Sequence, residues 1–277
     1  MRESPRSKAI LVAGTVKPWH VVFIAVAGWA VGIVAGAKLA SGFDPSVQYV
    51  AKGLISTAIA DAAYLAFFLA IGEFRRTLPV LLARPIRAVD TPSMAWTIGT
   101  MFFWGFGLFR VAFLLPMLVA HPGLFHQLTF AESLPELNAA TVVGITFMCS
   151  VCSPLGEEIL FRGYLLNLMV ARNGIWFGLV ASSLVFGALH SYTALHAAVL
   201  GFVFALVYLR YDSLWPGIAL HSLYNLAAPL WAVGALVSIK PAAEAADPSR
   251  WILEAIFALL FFPAAWQFWR RFRPRGA

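Results

Sequence analysis

Charged residues are scarce in this sequence. Of its 277 residues, 12% are Asp, Glu, Lys or Arg, whereas 61% are hydrophobic. Soluble domains usually contain about 25% charged residues, so this chain has too little polar surface to cover such a hydrophobic core in water. The shortage therefore favours lipid as the surrounding solvent and a membrane protein as the class.

Cysteine is scarce as well, because the chain contains only Cys149 and Cys152. Their C-x-x-C spacing is found in redox and metal sites, but a closed zinc site needs four ligands. Both cysteines also lie inside an apolar run. We therefore interpret them as two small residues on one face of a helix.

Several sequence motifs that would indicate other classes of function are absent. The sequence has no H-E-x-x-H, the usual ligand helix of zinc proteases, and no G-x-S-x-G, the nucleophile turn of serine hydrolases. No basic helix with interleaved polar residues occurs, so the net charge of +7 does not predict nucleic acid as a partner. The basic residues instead form short clusters between apolar runs, as membrane topology requires.

Eight apolar segments dominate the chain, and most reach the roughly 20 residues that a helix needs to cross hydrocarbon. They predict an all-α, polytopic transmembrane helical bundle with about eight spans. The segments are 19–37, 50–71, 95–120, 139–171, 174–190, 193–209, 214–237 and 251–269. The fourth is too long for one simple span, so we expect Pro154 to break or kink it and a new helical piece to follow.

Lysine and arginine predict the topology. Basic clusters lie in the N-terminal tail, in the loop after the second segment and in the C-terminal tail. They are Arg2, Arg6 and Lys8; Arg75, Arg76, Arg84 and Arg87; and Arg270, Arg271, Arg273 and Arg275. An even number of spans places all three on one side, whereas the loop 121–138 has no Lys or Arg and belongs outside. We therefore expect a multi-pass protein of the cell membrane with both termini cytoplasmic.

These segments divide the chain into four predicted parts. Residues 1–18 form a cytoplasmic tail, 19–138 the N-terminal transmembrane helices and 139–237 a transmembrane core. Residues 238–277 form a loop, the last transmembrane helix and a basic C-terminal tail. The first segment also carries a ladder of small residues that lets a neighbouring helix approach closely. This ladder consists of Gly28, Gly32 and Gly36.

Ionisable residues are expensive in lipid, so each one within an apolar segment is a functional candidate. Three polar motifs interrupt the second half of the chain: Glu157-Glu158-x-x-x-Arg162, Phe186-x-x-x-His190 and His221-x-x-x-Asn225. A spacing of four puts both ends of each motif on one helix face. Each motif alone also fits a structural role. The first could be a Glu–Arg pair near an interface and the second an interfacial histidine. The third could form an interhelical hydrogen bond.

The first motif has an internal asymmetry. Glu158 can pair with Arg162, but Glu157 lies about 100° around the helix from Glu158. The two carboxylates cannot serve one partner equally, so one can be structural while the other faces a cavity. A carboxylate and an imidazole can deprotonate a water or hold a metal that does so. A second imidazole and an amide can donate to a developing oxyanion. Together the motifs predict peptide hydrolysis by activated water.

The three motifs, in this order, resemble the signature motifs of the CPBP family of intramembrane proteases, also called the CAAX-protease, Rce1-like or ABI family. The resemblance spans about 139–236 and implies that the core is catalytic. It implies that Glu157 and His190 activate water and that His221 and Asn225 stabilise the oxyanion. The remaining motif residues would support them; these are Glu158, Arg162 and Phe186.

A metal-dependent alternative exists for this family, with Glu157, His190 and His221 as zinc ligands. The sequence does not decide between the two schemes, and we favour water activated by Glu and His. Zinc is therefore the one candidate cofactor. A geometric difficulty applies to both schemes, because straight parallel spans would not bring these residues to one depth. Tilt, a broken helix after Pro154 or a re-entrant segment must close the gap.

Other ionisable residues inside the apolar segments include Asp61 and Arg110. They could pair with each other, line the cavity or lie near an interface. Three functions remain open: an intramembrane endopeptidase, a non-catalytic immunity or scaffold protein of the same fold, and a proton-coupled transporter. The complete set of water-activating residues favours the first. Its partners would be membrane lipid and a membrane-associated or lipidated peptide or protein.

Overall fold

The computed structural model describes residues 16–42, 45–83, 89–121, 143–144, 146–190, 193–238 and 248–274. These residues contain helices and no β-strand, which confirms the predicted all-α fold. The α-helices are α1 Pro18–Ala40, α2 Pro45–Ala70, α3 Gly72–Leu82, α4 Thr91–Phe103, α5 Leu115–Ala120, α6 Ser153–Glu158, α7 Asn167–Asn173, α8 Ile175–Ala188, α9 Ala194–Tyr211, α10 Trp215–Ser238 and α11 Pro248–Phe272. Four π-helical stretches are π1 Trp104–Leu108, π2 Arg110–Leu114, π3 Met148–Cys152 and π4 Ile159–Leu166.

The helices include membrane-spanning candidates, so the protein is a membrane protein. Among the described residues, four helices are long and apolar enough to cross a bilayer: Pro18–Ala40, Thr91–Leu114, Ala194–Tyr211 and Trp251–Phe272. The described residues of the eight predicted segments are almost all helical. The predicted outer loop 121–138 lies, apart from its first residue, outside the described residues, so its side of the membrane stays a prediction.

One stretch predicted as a loop is helical. Arg75 and Arg76 lie on α3, an amphipathic helix that is too short and too polar to be found as an apolar segment. Phe74 and Leu81 are seven residues apart, about two helical turns, and both are buried, whereas the two arginines are exposed. Tyr164 of π4 packs against Phe74 and donates its hydroxyl to the Phe74 carbonyl at 2.9 Å. Helix α3 is therefore attached to the segment that follows the glutamate pair.

The chain divides into two compact units. The first contains residues 1–87, 138–223 and 274–277 and includes all three polar motifs except Asn225. Within it, α1 and α2 pack closely through the predicted glycine ladder. A Cβ atom at Gly32 would collide with the backbone oxygen of Ser56, and one at Gly28 would lie 2.5 Å from the Tyr64 ring. The ladder therefore brings two helix backbones together.

The second unit contains residues 88–137 and 224–273. Helix α11 packs there against α4 and π1, and the backbone of Phe257 lies 2.5 Å from a Cβ atom built on Gly107. Arg110 Nε donates to Glu254 Oε1 at 2.7 Å, and the Glu254 side chain is only 1% exposed. This ion pair joins two largely apolar helical segments, where an unpaired buried charge would be very costly.

The fourth predicted segment remains helical through Pro154. Phe147, Cys152 and Ser153 all have right-handed helical dihedral angles, and π3 passes into α6 at Ser153. Pro154 lies in the first turn of α6, directly after π3, so its missing N–H falls at the junction of the two helix types. The expected new helical piece is α6. It follows π3 directly, so the helix type changes there while the helix itself continues.

Candidate functional site

The glutamate pair lies at the end of α6, directly before π4. Arg162 Nη1 lies 2.9 Å from Glu158 Oε1, and both side chains are at most 2% exposed. This confirms the predicted Glu158–Arg162 pair one helical turn apart. Because two opposite charges are buried together, neither is left uncompensated in the apolar interior.

Aromatic rings surround the Arg162 guanidinium. Its central carbon lies 4.5 Å from the centroid of the Phe186 ring and 5.3 Å from that of Phe204. Nη2 of Arg162 also donates to the Gly201 carbonyl at 3.1 Å. Cation–π contacts of this kind strengthen when they are shielded from water. The second motif therefore contributes Phe186 to fix the arginine, which in turn holds Glu158.

The π4 turn frees backbone carbonyls, and Asn167 satisfies two of them. Its Nδ2 donates to the carbonyls of Arg162 at 2.7 Å and Gly163 at 2.9 Å, and also lies 2.6 Å from the Tyr208 hydroxyl. Single π-turns often occur at functional sites. Asn167 and Tyr208 were missed from sequence, although an amide side chain five residues after Arg162 was a visible signal.

His221 lies between the two carboxylates at unequal distances. Its Nδ1 is 3.1 Å from Glu158 Oε1, whereas its Nε2 is 3.7 Å from Glu157 Oε2. The ring stacks on Phe204, with centroids 4.6 Å apart and an interplanar angle of 22°. One carboxylate therefore holds His221 by a hydrogen bond, and the other lies just beyond hydrogen-bond distance, as the asymmetry of the motif predicted.

Gly217 allows α10 to approach the glutamates this closely. It lies one turn before His221, and a Cβ atom built on it would be 3.1 Å from Glu158 Oε2. The third motif does not include this glycine, and its sequence context gave no signal of a close approach. Its absent side chain leaves room for the Glu158 carboxylate beneath α10.

Glu157 faces a cavity of about 210 Å³ in the first unit. His190 and Asp61 line the same cavity. The Glu157 side chain is 19% exposed, and its Oε2 is buried without a hydrogen-bond partner among the described residues. A buried carboxylate oxygen without a partner is costly. Glu158 Oε2 is also buried without a partner among the described residues, so its place in the cavity wall is what distinguishes Glu157. The cavity is large enough for several waters.

His190 lies in the turn between α8 and α9. Helix α8 has 14 residues, a rise of about 21 Å, which falls short of the roughly 30 Å hydrocarbon core. His190 lines the same cavity as Glu157, and Glu157 Oε2 lies 3.7 Å from His221 Nε2, so the first unit brings residues of all three motifs to one site. His190 Nδ1 lies 2.7 Å from the Phe186 carbonyl. Because a carbonyl only accepts, Nδ1 carries the hydrogen and the Nε2 lone pair is available.

Asn225 is the last residue of the third motif. It follows His221 by one turn of α10 and falls in the second unit of the chain. Its role as an oxyanion donor stays a prediction.

Asp61 and Arg110 each have a partner within their own unit of the chain. Asp61 accepts a hydrogen bond from Ser153 Oγ at 3.1 Å and lines the cavity, whereas Arg110 pairs with Glu254. Of the three alternatives predicted for these residues, lining the cavity is therefore the outcome for Asp61. The partner of each residue lies far from it in the sequence, so the sequence alone could not identify it.

His190 and His221 are oriented in the way that metal-binding histidines usually are. Each directs Nδ1 to an oxygen acceptor, Glu158 or the Phe186 carbonyl, as metal-binding imidazoles usually do. However, no three His, Cys, Asp or Glu side chains within the described parts of the chain come close enough together to form a ligand group. As placed, Glu157, His190 and His221 therefore do not fit a bound zinc ion, and the zinc assignment stays a prediction.

Comparison with known proteins supports the resemblance found in the motifs. Residues 139–227 match the family model described as Type II CAAX prenyl endopeptidase Rce1-like. The chain is also 32% identical over 79 residues to "Putative membrane peptidase YdiL" of Bacillus subtilis (strain 168), a match that covers 27% of this chain and 32% of that protein. The chain thus matches about a third of the length of this curated relative. No solved structure matches the chain significantly.

Proposed function

We propose, from the premise that residues 139–227 form an Rce1-like domain, that the protein is an intramembrane endopeptidase. It hydrolyses a peptide bond with a water molecule activated by Glu157 and His190. The observation that carries this proposal is the contrast between two adjacent carboxylates. Glu158 Oε1 is held by Arg162 at 2.9 Å and His221 at 3.1 Å, whereas Glu157 Oε2 lies 3.7 Å from His221 and the Glu157 side chain lines a cavity with His190.

Glu157 acts as the general base in this scheme. Its carboxylate accepts a proton from water while the water oxygen attacks the peptide carbonyl carbon, and the proton then passes to the leaving amine nitrogen. The available Nε2 lone pair of His190 accepts a hydrogen bond from the same water and orients it. The products are a new carboxylic acid, which keeps the second water proton until it ionises in water, and a new amine, so the reaction needs no other reactant.

His221 stabilises the oxyanion of the tetrahedral intermediate. Its Nδ1–H donates to Glu158, which fixes the ring. When the imidazole carries both protons, Nε2–H donates towards the reacting carbonyl oxygen. Asn225 supplies a second donor from the next turn of α10, as the third motif implies. A donor fixed before the reaction stabilises the transition state without reorganising.

Zinc is the alternative source of activation. Glu157, His190 and His221 would hold the ion, which would act as a Lewis acid on the water and the carbonyl. We favour the metal-free scheme because the three side chains form no ligand group within the described part of the chain.

The substrate is a membrane-associated or lipidated peptide or protein. This follows from the location of the site among apolar helices and from the name of the matching family. We propose that the protein is a multi-pass protein of the cell membrane with both termini in the cytoplasm. Whether the substrate must be prenylated is a separate question, which the assay answers by comparing prenylated and unmodified peptides.

Mass spectrometry of the products tests this function. Purified protein in detergent is incubated with prenylated and unprenylated versions of one peptide in water enriched in heavy oxygen. We expect one heavy oxygen in the new carboxyl group of the product and no product with His190→Ala. The matched control is His121→Ala, an exposed histidine in the second unit. The proposal is wrong if neither peptide is cleaved or if His190→Ala cleaves as fast as wild type.

A further inference from the structure

The cavity beside Glu157 and His190 contains a further carboxylate, Asp61, which α2 contributes. Asp61 lies outside residues 139–227, which match the family model, and belongs to none of the three motifs. Ser153 Oγ donates to its Oδ2 at 3.1 Å, and a Cβ atom at Gly156 would lie 3.5 Å from its Oδ1. The carboxylate is thus held against the turn of α6 that leads to Glu157.

The walls of the cavity combine negative and aromatic groups. Trp29 and Tyr64 contribute rings from α1 and α2, and Phe161 contributes a third ring from π4. The described residues that line the cavity include no Lys or Arg. Tyr64 is fixed in place, since its hydroxyl donates to the Ala25 carbonyl at 3.3 Å and its ring packs against Gly28. Carboxylates and aromatic faces both attract cations.

The Arg162 guanidinium does not neutralise the carboxylate of Asp61. Arg162 is directed to Glu158 and to the Gly201 carbonyl, and its guanidinium is covered by Phe186 and Phe204. The charge of Asp61 therefore has no counterpart among the residues that line the cavity. A cation of suitable size could contact a carboxylate and aromatic rings in this cavity without displacing an existing ion pair.

The volume limits what enters. At about 210 Å³, the cavity is smaller than the roughly 300 Å³ at which pockets for whole small-molecule ligands begin. One amino-acid side chain fits it better than a larger group. Because Glu157 and His190 line the same cavity, that side chain would belong to a residue next to the bond that is cleaved.

We propose that the cavity binds a basic substrate side chain and that Asp61 determines this specificity. The inference rests on the proposed peptidase function and adds the chemistry of one substrate residue. Asp61 Oδ2 keeps its hydrogen bond to Ser153, and the remaining lone pairs of the carboxylate accept from a guanidinium or ammonium group. The faces of Trp29 and Tyr64 contact the same cation.

A pair of peptides tests the inference. They are identical except that one has arginine and the other citrulline, which has the shape of arginine without its charge. Their binding to the purified full-length protein in neutral detergent is measured by fluorescence anisotropy. Wild type should bind the arginine peptide about 10- to 100-fold more tightly, the range of one charge-assisted hydrogen bond. Asp61→Asn should reduce this ratio to under about threefold.

Three variants separate charge from structure. Asp61→Asn still accepts the Ser153 hydrogen bond, Asp61→Glu keeps the charge and should preserve the preference, and Ser153→Ala removes only the hydrogen bond and should also preserve it. Equal binding of both peptides by wild type contradicts the inference. So does an unchanged preference in Asp61→Asn, or the loss of preference in Asp61→Glu and Asp61→Asn alike.

Cleavage of the same peptides separates this inference from the proposed function. If wild type prefers the arginine peptide in binding but cleaves neither, the peptidase proposal fails and the cation site stands. If wild type binds and cleaves both peptides equally, the peptidase proposal stands and the specificity of Asp61 is wrong.

Discussion

Two adjacent glutamates in this site have different environments because successive helical residues point about 100° apart. Glu158 points to Arg162 and His221 and is almost fully buried. Glu157 points to the cavity, and its Oε2 lies 3.7 Å from His221 Nε2. At the scale of single residues, the site therefore consists of one carboxylate that fixes its neighbours and one that is available for chemistry.

The Glu158–Arg162 pair should determine stability. Arg162→Met leaves Glu158 buried without its cation, so we expect the free energy of unfolding to fall by about 3–5 kcal/mol. Thermal unfolding in detergent measures the loss. The double variant Glu158→Gln with Arg162→Met buries no charge at these positions and should be more stable than Arg162→Met alone. A double variant that is less stable than the single one would contradict this account of the pair.

His221 distinguishes the metal-free scheme from the zinc scheme. As an oxyanion donor, its replacement in His221→Ala should slow peptide cleavage by roughly 10²–10³ and leave the metal content unchanged. Elemental analysis of the purified wild type and variant, together with the cleavage rate, measures both effects. Zinc in the wild type at about one ion per chain, lost in His221→Ala, would overturn the metal-free scheme and leave the peptidase proposal intact.

At the scale of helices, glycines set the distance between elements. Gly32 of α1 faces the backbone of Ser56 in α2, so Gly32→Ala should force the two helices apart and cost about 1–3 kcal/mol in unfolding free energy. Gly99→Ala is the matched control, because its Cβ atom would meet only ordinary contacts of 3.8–4.0 Å. Thermal unfolding should show Gly32→Ala as less stable and Gly99→Ala as no less stable than wild type. Equal effects would contradict close packing at Gly32.

The sequence predicted those elements that follow from local spacing. Apolar runs located the long helices, the i,i+4 rule located the Glu158–Arg162 pair, and the small-xxx-small pattern located the contact between α1 and α2. Contacts between residues far apart in the sequence could not be predicted. The Arg110–Glu254 pair joins residues 144 positions apart, and Gly217 matters only because α10 passes over Glu158. Helix α3 was missed because a short amphipathic helix resembles a loop on a hydropathy scale.

At the scale of the whole molecule, membrane topology follows from the distribution of Lys and Arg. Both termini should lie in the cytoplasm and the loop 121–138 on the opposite side. Reporter fusions after Ala277 and within this loop measure their locations in intact cells. Activity of both reporters on the same side of the membrane would exclude an even number of spans with this orientation.

The central claim is that Glu157 activates water for peptide hydrolysis, and the most direct measurement is the cleavage rate of Glu157→Gln. This variant keeps the shape of the side chain and removes the base. The account predicts that cleavage of a membrane-associated peptide falls by about 10²–10⁴, while the variant still inserts into liposomes like wild type. Cleavage by Glu157→Gln at close to the wild-type rate would contradict it.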